Sequence, residues 1–505
     1  MAASDQGEWD VRDDLRQVVL KVAAFVVVWS LYFAVSEAAS SIHNDMAEAY
    51  AWGREFELGY NQHPPFWAWI CGLWFLIFPC ANWAFAILAM LNAGVGLLGA
   101  WALIGRFVDG DKRVAATALL ALTPFYSFLA YKYNANSIFL SLWPWTLYAF
   151  LGALRNRSMA ASLGFGAMMG LALNSKYYAL VLAATCLIAA QASVERGRYF
   201  RSPSPYVSIA VALAMFAPHL IWLAVTGAPP IRYLARVSGR SFAETGAFAA
   251  SAVLGSLLQQ TVAVGLVAAA ARLEALNHRG GAVGQSVDQT AGEADNRRLL
   301  PILALTPLVL SVVAALCLRT KISSNMLIGA FPLSPLLAMQ FLAPADPLRL
   351  RRYALRGATF LSLGALMLSP LVAVGKAWYG RDSEDVEPRR EAAIAASEFW
   401  TSVTNAPLAF VAGSFRYDNA AAFYSPEHPS VFVGFDYFGN RWASPEKIAA
   451  RGLITICLRD DAACLDDTTK FATPATKREE MTLAHSAFGR THKSFAFVFT
   501  AIPPR

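Results

Sequence analysis

The chain has 505 residues, of which 56% are hydrophobic and only 15% charged, with a formal net charge of +7. Apolar runs of about 18 or more residues recur along it, each long enough to cross a bilayer, so a soluble enzyme is excluded and a polytopic membrane protein is expected. The surplus Lys and Arg is not a nucleic-acid footprint, because much of it falls in short loops between apolar runs, where it sets orientation.

The N-terminal stretch MAASDQGEWDVRDDLR is too acidic and polar for a signal-peptide n-region, and no cleavage site follows the first apolar run. That run, about Val18 to Ala38, should remain as a signal anchor, with Arg12, Arg16 and Lys21 placing the N-terminus in the cytoplasm. The next stretch, His43 to Trp69, is then external. It reads HNDMAEAYAWGREFELGYNQHPPFWAW. Asp45 and Glu48 share one face if this part is helical, with Trp52 a further turn along. Gly59-Tyr60 bends the chain, and His63-Pro64-Pro65 stiffens it before an aromatic run. Carboxylates so near apolar surface are expensive to place, which favours a functional role; a solvated loop capped by Asp45 is the plain alternative.

Phe66–Cys80 is short for a span and follows two prolines, so it is expected to be interfacial or re-entrant, roofing the external stretch. Hydropathy then places spans at about 83–105, 114–131, 137–154, 159–175, 177–194, 205–226, 249–271, 300–318, 323–342 and 357–375, about eleven in all. Arg155, Arg157, Arg196, Arg198, Arg201, Arg349, Arg351, Arg352 and Arg356 fall inside. So does a linker from about Asn277 to Arg298 whose composition reads as disordered. Lys132, Lys176, Arg232, Arg236, Arg240, Arg319 and Lys321 fall outside, against the positive-inside pattern. Each alone reads as a snorkelling side chain, but as a set they suit a phosphate ligand.

After about Val374 the pattern changes to alternating short segments. Helices are expected at Glu387–Thr404, Asp418–Phe423 and Pro445–Arg451, and strands at Leu408–Val411, Ser430–Phe435, Leu453–Leu458 and Phe495–Ala501. Residues 376–505 thus read as a small external α/β domain following a membrane domain of residues 1–375. Cys457 and Cys464 could pair in an oxidising compartment or remain free thiols, and pairing is favoured. Cys71, Cys80, Cys186 and Cys317 sit in apolar runs and read as core. His219, closing a span, reads as a satisfied structural histidine. No Walker A loop, dinucleotide-binding glycine pattern or zinc spacing is present.

Taken as a set, several short motifs carry a resemblance. They are Asp45 with Gly59-Tyr60-Asn61-Gln62-His63-Pro64-Pro65, His63 lying 18 positions after Asp45; Lys132-Tyr133-Asn134-Ala135-Asn136; Asn174-Ser175-Lys176-Tyr177-Tyr178; and Pro218-His219-Leu220-Ile221-Trp222. Over roughly residues 15–375 the chain resembles the GT-C polytopic glycosyltransferases that use polyprenyl-phosphate sugars, the group of the protein mannosyltransferases and the lipid A aminoarabinose transferases. It departs from that group at Met46, where Glu is usual, and at Gln62-His63 and Asn136. Some relatives hold a metal through an acidic residue near Pro-Pro; with Gln62 there, no clear ligand set for a divalent metal is evident.

The resemblance implies an inverting glycosyltransferase in a bacterial inner membrane, with its C-terminal domain in the periplasm. It would move sugar from a polyprenyl-phosphate donor to lipid A, lipopolysaccharide core or another glycolipid or glycan. It implies Asp45 as catalytic base, Glu48, Asn136 and Tyr60 as supports around the acceptor, and Lys176, Lys132, His63 and Arg240 as donor-phosphate ligands, with membrane lipid and no nucleic acid as further partners. Glycosyl transfer onto protein, a lipid-linked sugar flippase and a scaffold with a degenerate site are the alternatives. Turnover separates the last two from an enzyme.

Overall fold

The computed structural model describes residues 2–277, 291–380 and 386–505. Helix α1 (Ala2–Ser36) carries the first apolar run and leads into two ten-residue helices, α2 (Asn44–Gly53) and α3 (Phe66–Phe75). At 1.5 Å per residue each reaches about 15 Å, half a bilayer's hydrocarbon thickness, so neither can cross. The Phe66–Cys80 segment is therefore the short element expected. Then come α4 (Asn82–Ile104), α5 (Gly110–Ala121), α6 (Phe139–Asn156), α7 (Met159–Leu173), α8 (Ala179–Ala192), α9 (Arg196–Arg201) and α10 (Ser204–Thr226). The membrane part closes with α11 (Pro229–Val237), α12 (Phe242–Leu258), α13 (Thr261–Asn277), α14 (Ala291–Leu318), a 3-10 turn at Ser324–Ala330, α15 (Ser334–Leu342) and α16 (Pro347–Tyr379).

Five described helices are long and apolar enough to cross a membrane, and seven spans result if each sharply bent pair counts as one. Several others expected as spans are shorter. Along α10, α14 and α16, Val225, Val309, Phe360 and Met367 point outward and are exposed, as a lipid-facing surface requires.

Two expected spans need correction, and a third is sharply bent. The run at 114–131 is helical only to Ala121, because Pro124 cannot donate to the ladder and the chain turns from Leu122 onward. The run at 249–271 is two helices that meet at the polar pair Gln259-Gln260, where Gln260 accepts a hydrogen bond from Ser334 Oγ at 2.7 Å. The run at 323–342 is a 3-10 turn and α15, bent by 73° across Phe331-Pro332-Leu333. In the linker read as disordered, residues 291–298 are helical within α14, and 278–290 lie outside the described residues.

The C-terminal unit has the expected α/β character. Its elements are α17 (Arg389–Val403), β1 (Phe410–Gly413), α18 (Tyr417–Tyr424), β2 (Ser430–Val431), α19 (Pro445–Arg451), β3 (Leu453–Leu458), α20 (Ala462–Thr469), β4 (Lys477–Ala487) and β5 (Arg490–Ile502). They form a five-stranded sheet ordered β2-β1-β3-β5-β4. Strand β1 runs parallel to both β2 and β3, whereas β5 is antiparallel to β3 and β4. Cys457, on β3, is disulfide-bonded to Cys464, on α20, with Cα atoms 5.7 Å apart. Of the cysteines read as core, Cys71 and Cys186 are buried, Cys80 is half-buried and Cys317 is exposed, so Cys317 is corrected to a surface residue of α14.

This unit sits directly on α2. Tyr424 Oη accepts from the Ile42 amide at 2.8 Å and donates to Asn82 Oδ1 at 2.9 Å. Phe423 meets the rings of Tyr50, Phe75 and Phe85 at 5.3, 5.7 and 5.3 Å. On its other side α2 packs on α3 through Gly53 and Gly72, where a Cβ on either would run into the other helix's backbone. Gly53→Val should therefore wedge α2 from α3, and overpacking of this kind costs about 1–3 kcal/mol. A lower midpoint of thermal unfolding in detergent is the expected readout; an unchanged midpoint would show that the contact is not tight.

Candidate active site

The start of α2 sets the geometry. His43 is its N-cap, its Nδ1 accepting from the Asp45 amide at 3.2 Å, so His43 rather than Asp45 caps the helix. Asp45 stands in the first turn, where the positive end of the helix favours a carboxylate, and its side chain is 41% exposed. Across from it, Asn134 Nδ2 donates to Asp45 Oδ2 at 2.9 Å. The orientation of that amide is fixed, because Asn134 Oδ1 already accepts from the amides of Asn136 at 2.8 Å and Ser137 at 2.9 Å. Asn92 secures this turn from below, donating to the Ser137 carbonyl at 2.7 Å.

Asp45 and Lys132 line one cavity of about 200 Å3 together with His43, Asn134, Asn136, Ser137, Ser323 and Asn325. Lys176 stands at its edge, with Nζ donating to Asn136 Oδ1. Burial pulls the Lys176 ammonium down to about 8, with Asp45 acting in the opposite sense. It is still largely protonated at neutral pH. His63 is half-buried and pushed well below its usual range by desolvation, then by Lys176. Its ring is neutral, so it would meet a phosphate as an N–H donor and not as a cation. Glu48 is buried one turn behind Asp45, and desolvation, then Asp45 and Asp418, raise its carboxyl well above the ordinary range.

Other expected site residues have different surroundings. Tyr60 is fully buried, donates its hydroxyl to the Trp52 carbonyl at 2.6 Å and stacks on the Trp52 ring. Its hydroxyl is thus committed to holding the turn. Arg240 does not line the Asp45 cavity; it lies at the bend between α11 and α12, its guanidinium 5.5 Å from the Phe248 ring, and its carbonyl accepts from Arg319 Nε at 2.6 Å. Lys321 also stacks on Phe248. The cations expected outside therefore divide, with Lys132 and Lys176 near the carboxylate, Arg240 and Lys321 over Phe248, and Arg319 over Phe242.

His219 is satisfied, as expected, and it also explains two sequence motifs. Its Nδ1 pairs with the Leu58 carbonyl at 2.7 Å, so Nδ1 carries the proton and Nε2 accepts from Tyr177 Oη at 2.8 Å. Trp222, one turn on, packs so closely on Gly59 that no Cβ fits there. The Phe66 amide bonds the Asn174 carbonyl at 2.7 Å. Together these contacts lock the Gly59–Pro65 turn to the segment that presents Lys176.

Sequence reasoning passed over His43, Asn134, Ser323 and Asn325. The usable signals were Asn134 inside the Lys132–Asn136 motif and the polar triplet Ser323-Ser324-Asn325 at the head of an otherwise apolar run. Among the described residues, no group of three His, Cys, Asp or Glu side chains is arranged to hold a metal ion, so no step is assigned to one. Two apolar clefts open between the helices, of about 360 Å3 beside Val22 and Leu97 and about 340 Å3 beside Phe165 and Leu187; neither shares a residue with the Asp45 cavity.

A family model described as dolichyl-phosphate-mannose-protein mannosyltransferase matches residues 62–222. The lipopolysaccharide core galacturonosyltransferase RgtA of Rhizobium johnstonii is 27% identical over 205 residues, covering 36% of this chain and 37% of that protein. The lipopolysaccharide core galacturonosyltransferase RgtB of the same organism is 30% identical over 225 residues, covering 42% and 43%. The chain thus spans about two-fifths of the length of these curated relatives. ArnT from Cupriavidus metallidurans, solved with undecaprenyl phosphate, superposes with a TM-score of 0.59 at 14% identity, covering 95% of this chain and 98% of that one. Its apo state gives 0.59 at 15% identity, covering 95% and 97%. These structures share the fold.

Asn134→Leu should leave Asp45 without its side-chain donor and the Asn136 and Ser137 amides without their acceptor, at a cost of about 1–3 kcal/mol per orphaned buried group. Thermal unfolding in detergent checks this, and a midpoint equal to wild type would show that the turn does not depend on Asn134.

Proposed function

For a chain of the GT-C type represented by ArnT and the protein mannosyltransferases, we propose inverting transfer of a sugar from a polyprenyl-phosphate donor to an envelope glycolipid, lipid A or lipopolysaccharide core among them. The observation that carries this reading is the Asp45 carboxylate, held by Asn134 on the wall of a cavity that also presents Lys132, with Lys176 at its edge. A charged base and two ammonium groups in one polar recess at the end of an apolar bundle match what this reaction needs.

The reaction breaks the anomeric C–O bond and releases a phosphate monoester. That leaving group needs charge stabilisation more than a proton, and Lys176 and Lys132 supply it. Asp45 accepts the proton of the acceptor hydroxyl as its oxygen attacks the face of the sugar opposite the phosphate, so the anomeric configuration inverts in a single displacement. Glu48 is buried away from the cavity, which leaves Asp45 as the carboxylate of α2 that lines it, and His63 adds an N–H to the phosphate side. In this reading the cavity and residues 376–505 face the periplasm, the arginine-rich loops face the cytoplasm, and the membrane is the bacterial inner membrane. The names of RgtA and RgtB point to acidic sugars and to lipopolysaccharide core; both are adopted here as the substrate class.

Asp45→Asn should lower transfer by about 10²–10⁴-fold, the usual share of a general base, while donor binding persists. Mass spectrometry of envelope glycolipids from cells carrying wild type, a deletion or Asp45→Asn reads this out. A sugar lost in the deletion but kept in the variant would overturn the base assignment. Because burial lowers the Lys176 pKa, its charge is present below pH about 8 and lost above it. Donor affinity should weaken as pH rises through 8, and Lys176→Arg should move that limb upward. A limb that stays in place in Lys176→Arg would assign it to another group.

A further inference from the structure

Outside the Asp45 cavity, one loop of the C-terminal unit carries an arrangement that the chemistry above leaves unused. Residues 433–442 form an ordered turn centred on Asn440, whose Nδ2 donates to the carbonyls of Val433 at 2.9 Å and Asp436 at 2.7 Å. Asn440 Oδ1 accepts from the Val433 amide at 3.2 Å. In this clamped loop the Phe438 ring is 67% exposed. Next to it, Gly439 presses on the Asn61 side chain so closely that a Cβ would overlap it, which places the loop over the turn that leads to His63. The Arg232 guanidinium of α11 stands 5.6 Å from the Phe438 ring. Tyr233, the following residue, lies within electrostatic reach of both Glu48 and Asp45. Arg236, one turn after Arg232, is exposed.

An exposed aromatic face beside a guanidinium, on a loop packed against Asn61 and next to a helix whose Tyr233 lies within electrostatic reach of Asp45, is suited to a sugar ring carrying negative charge. We propose that Phe438 and Arg232 form the acceptor side of the site and recognise an anionic saccharide. The ring stacks on Phe438, and a carboxylate or phosphate on the sugar pairs with Arg232. The inference rests on the glycosyl-transfer reading and adds the side from which the acceptor enters. It gives the C-terminal unit a direct part in substrate choice.

The test uses the full-length protein in detergent with two soluble oligosaccharide probes matched except for one carboxylate. Phe438→Ala should raise the KM for the acidic probe about tenfold, a typical loss for one anchoring contact, with kcat and donor KM unchanged. Phe438→Tyr should restore it, and Arg232→Gln should abolish the preference for the acidic probe over the neutral one. A Phe438→Ala protein with wild-type acceptor KM, or one whose donor KM rises instead, overturns the proposal while leaving glycosyl transfer intact. A defect present in liposomes but absent in detergent overturns it too, because Phe438 would then be a membrane anchor. Wild-type protein that transfers no sugar to either probe, yet binds the acidic one less tightly as Phe438→Ala, upholds the saccharide contact and refutes the transfer reading.

Discussion

The hydrogen bond from Asn134 to Asp45 is the interaction on which the rest of the site depends. A carboxylate beside an apolar helix bundle is held in one orientation only where hydrogen-bond donors are fixed around it. Here the N-terminal turn of α2 and one side-chain amide hold it, and that amide cannot rotate because two backbone groups already use its oxygen. Precision at Asp45 is thus inherited from a turn between α5 and α6 and, through Asn92, from α4 beneath it.

Electrostatics divides the acidic groups of α2 by depth and not by residue type. Asp45 and Glu48 are three residues apart, but one faces the cavity and the other is enclosed between α2 and the C-terminal unit near Asp418. Burial raises the Glu48 carboxyl and keeps it off the cavity wall, so Asp45 is the carboxylate that lines the recess with Lys132, with Lys176 at its edge.

Much of this was legible in the sequence where a motif reflects a covalent or steric necessity. The Gly59–Pro65 segment announced a rigid turn, and His219 announced a satisfied ring, because Gly, Pro and buried His each allow few environments. The pairing of Cys457 with Cys464 was readable for the same reason. What the sequence concealed depended on distant partners. Asn134 carries no mark that separates it from Asn136 until α2 is placed opposite it. The run at 114–131 looked like a span because hydropathy counts side chains and does not register that Pro124 interrupts the backbone. Strand β4 escaped notice because its first residues, Lys477 to Glu480, are exposed and polar, and its pairing with β5 supplies the order that its side chains do not. Arg240 was grouped with the phosphate ligands on charge alone, and only the bend between α11 and α12 shows that it belongs to the Phe248 cluster.

The seat of α18 on α2 also has a consequence in time. Tyr424 and the Ile42 amide it meets are separated by 382 positions along the chain. A ribosome therefore delivers α2 early and its cover late, after every membrane helix has been inserted. Until then α2 lies with Tyr50 open on the side that Phe423 will close, and the surface destined for the C-terminal unit is an apolar patch exposed to whatever else is near. Covering of α2 is thus a late event in the life of each molecule, and a chain released before residue 424 would carry Asp45 on a helix without its lid.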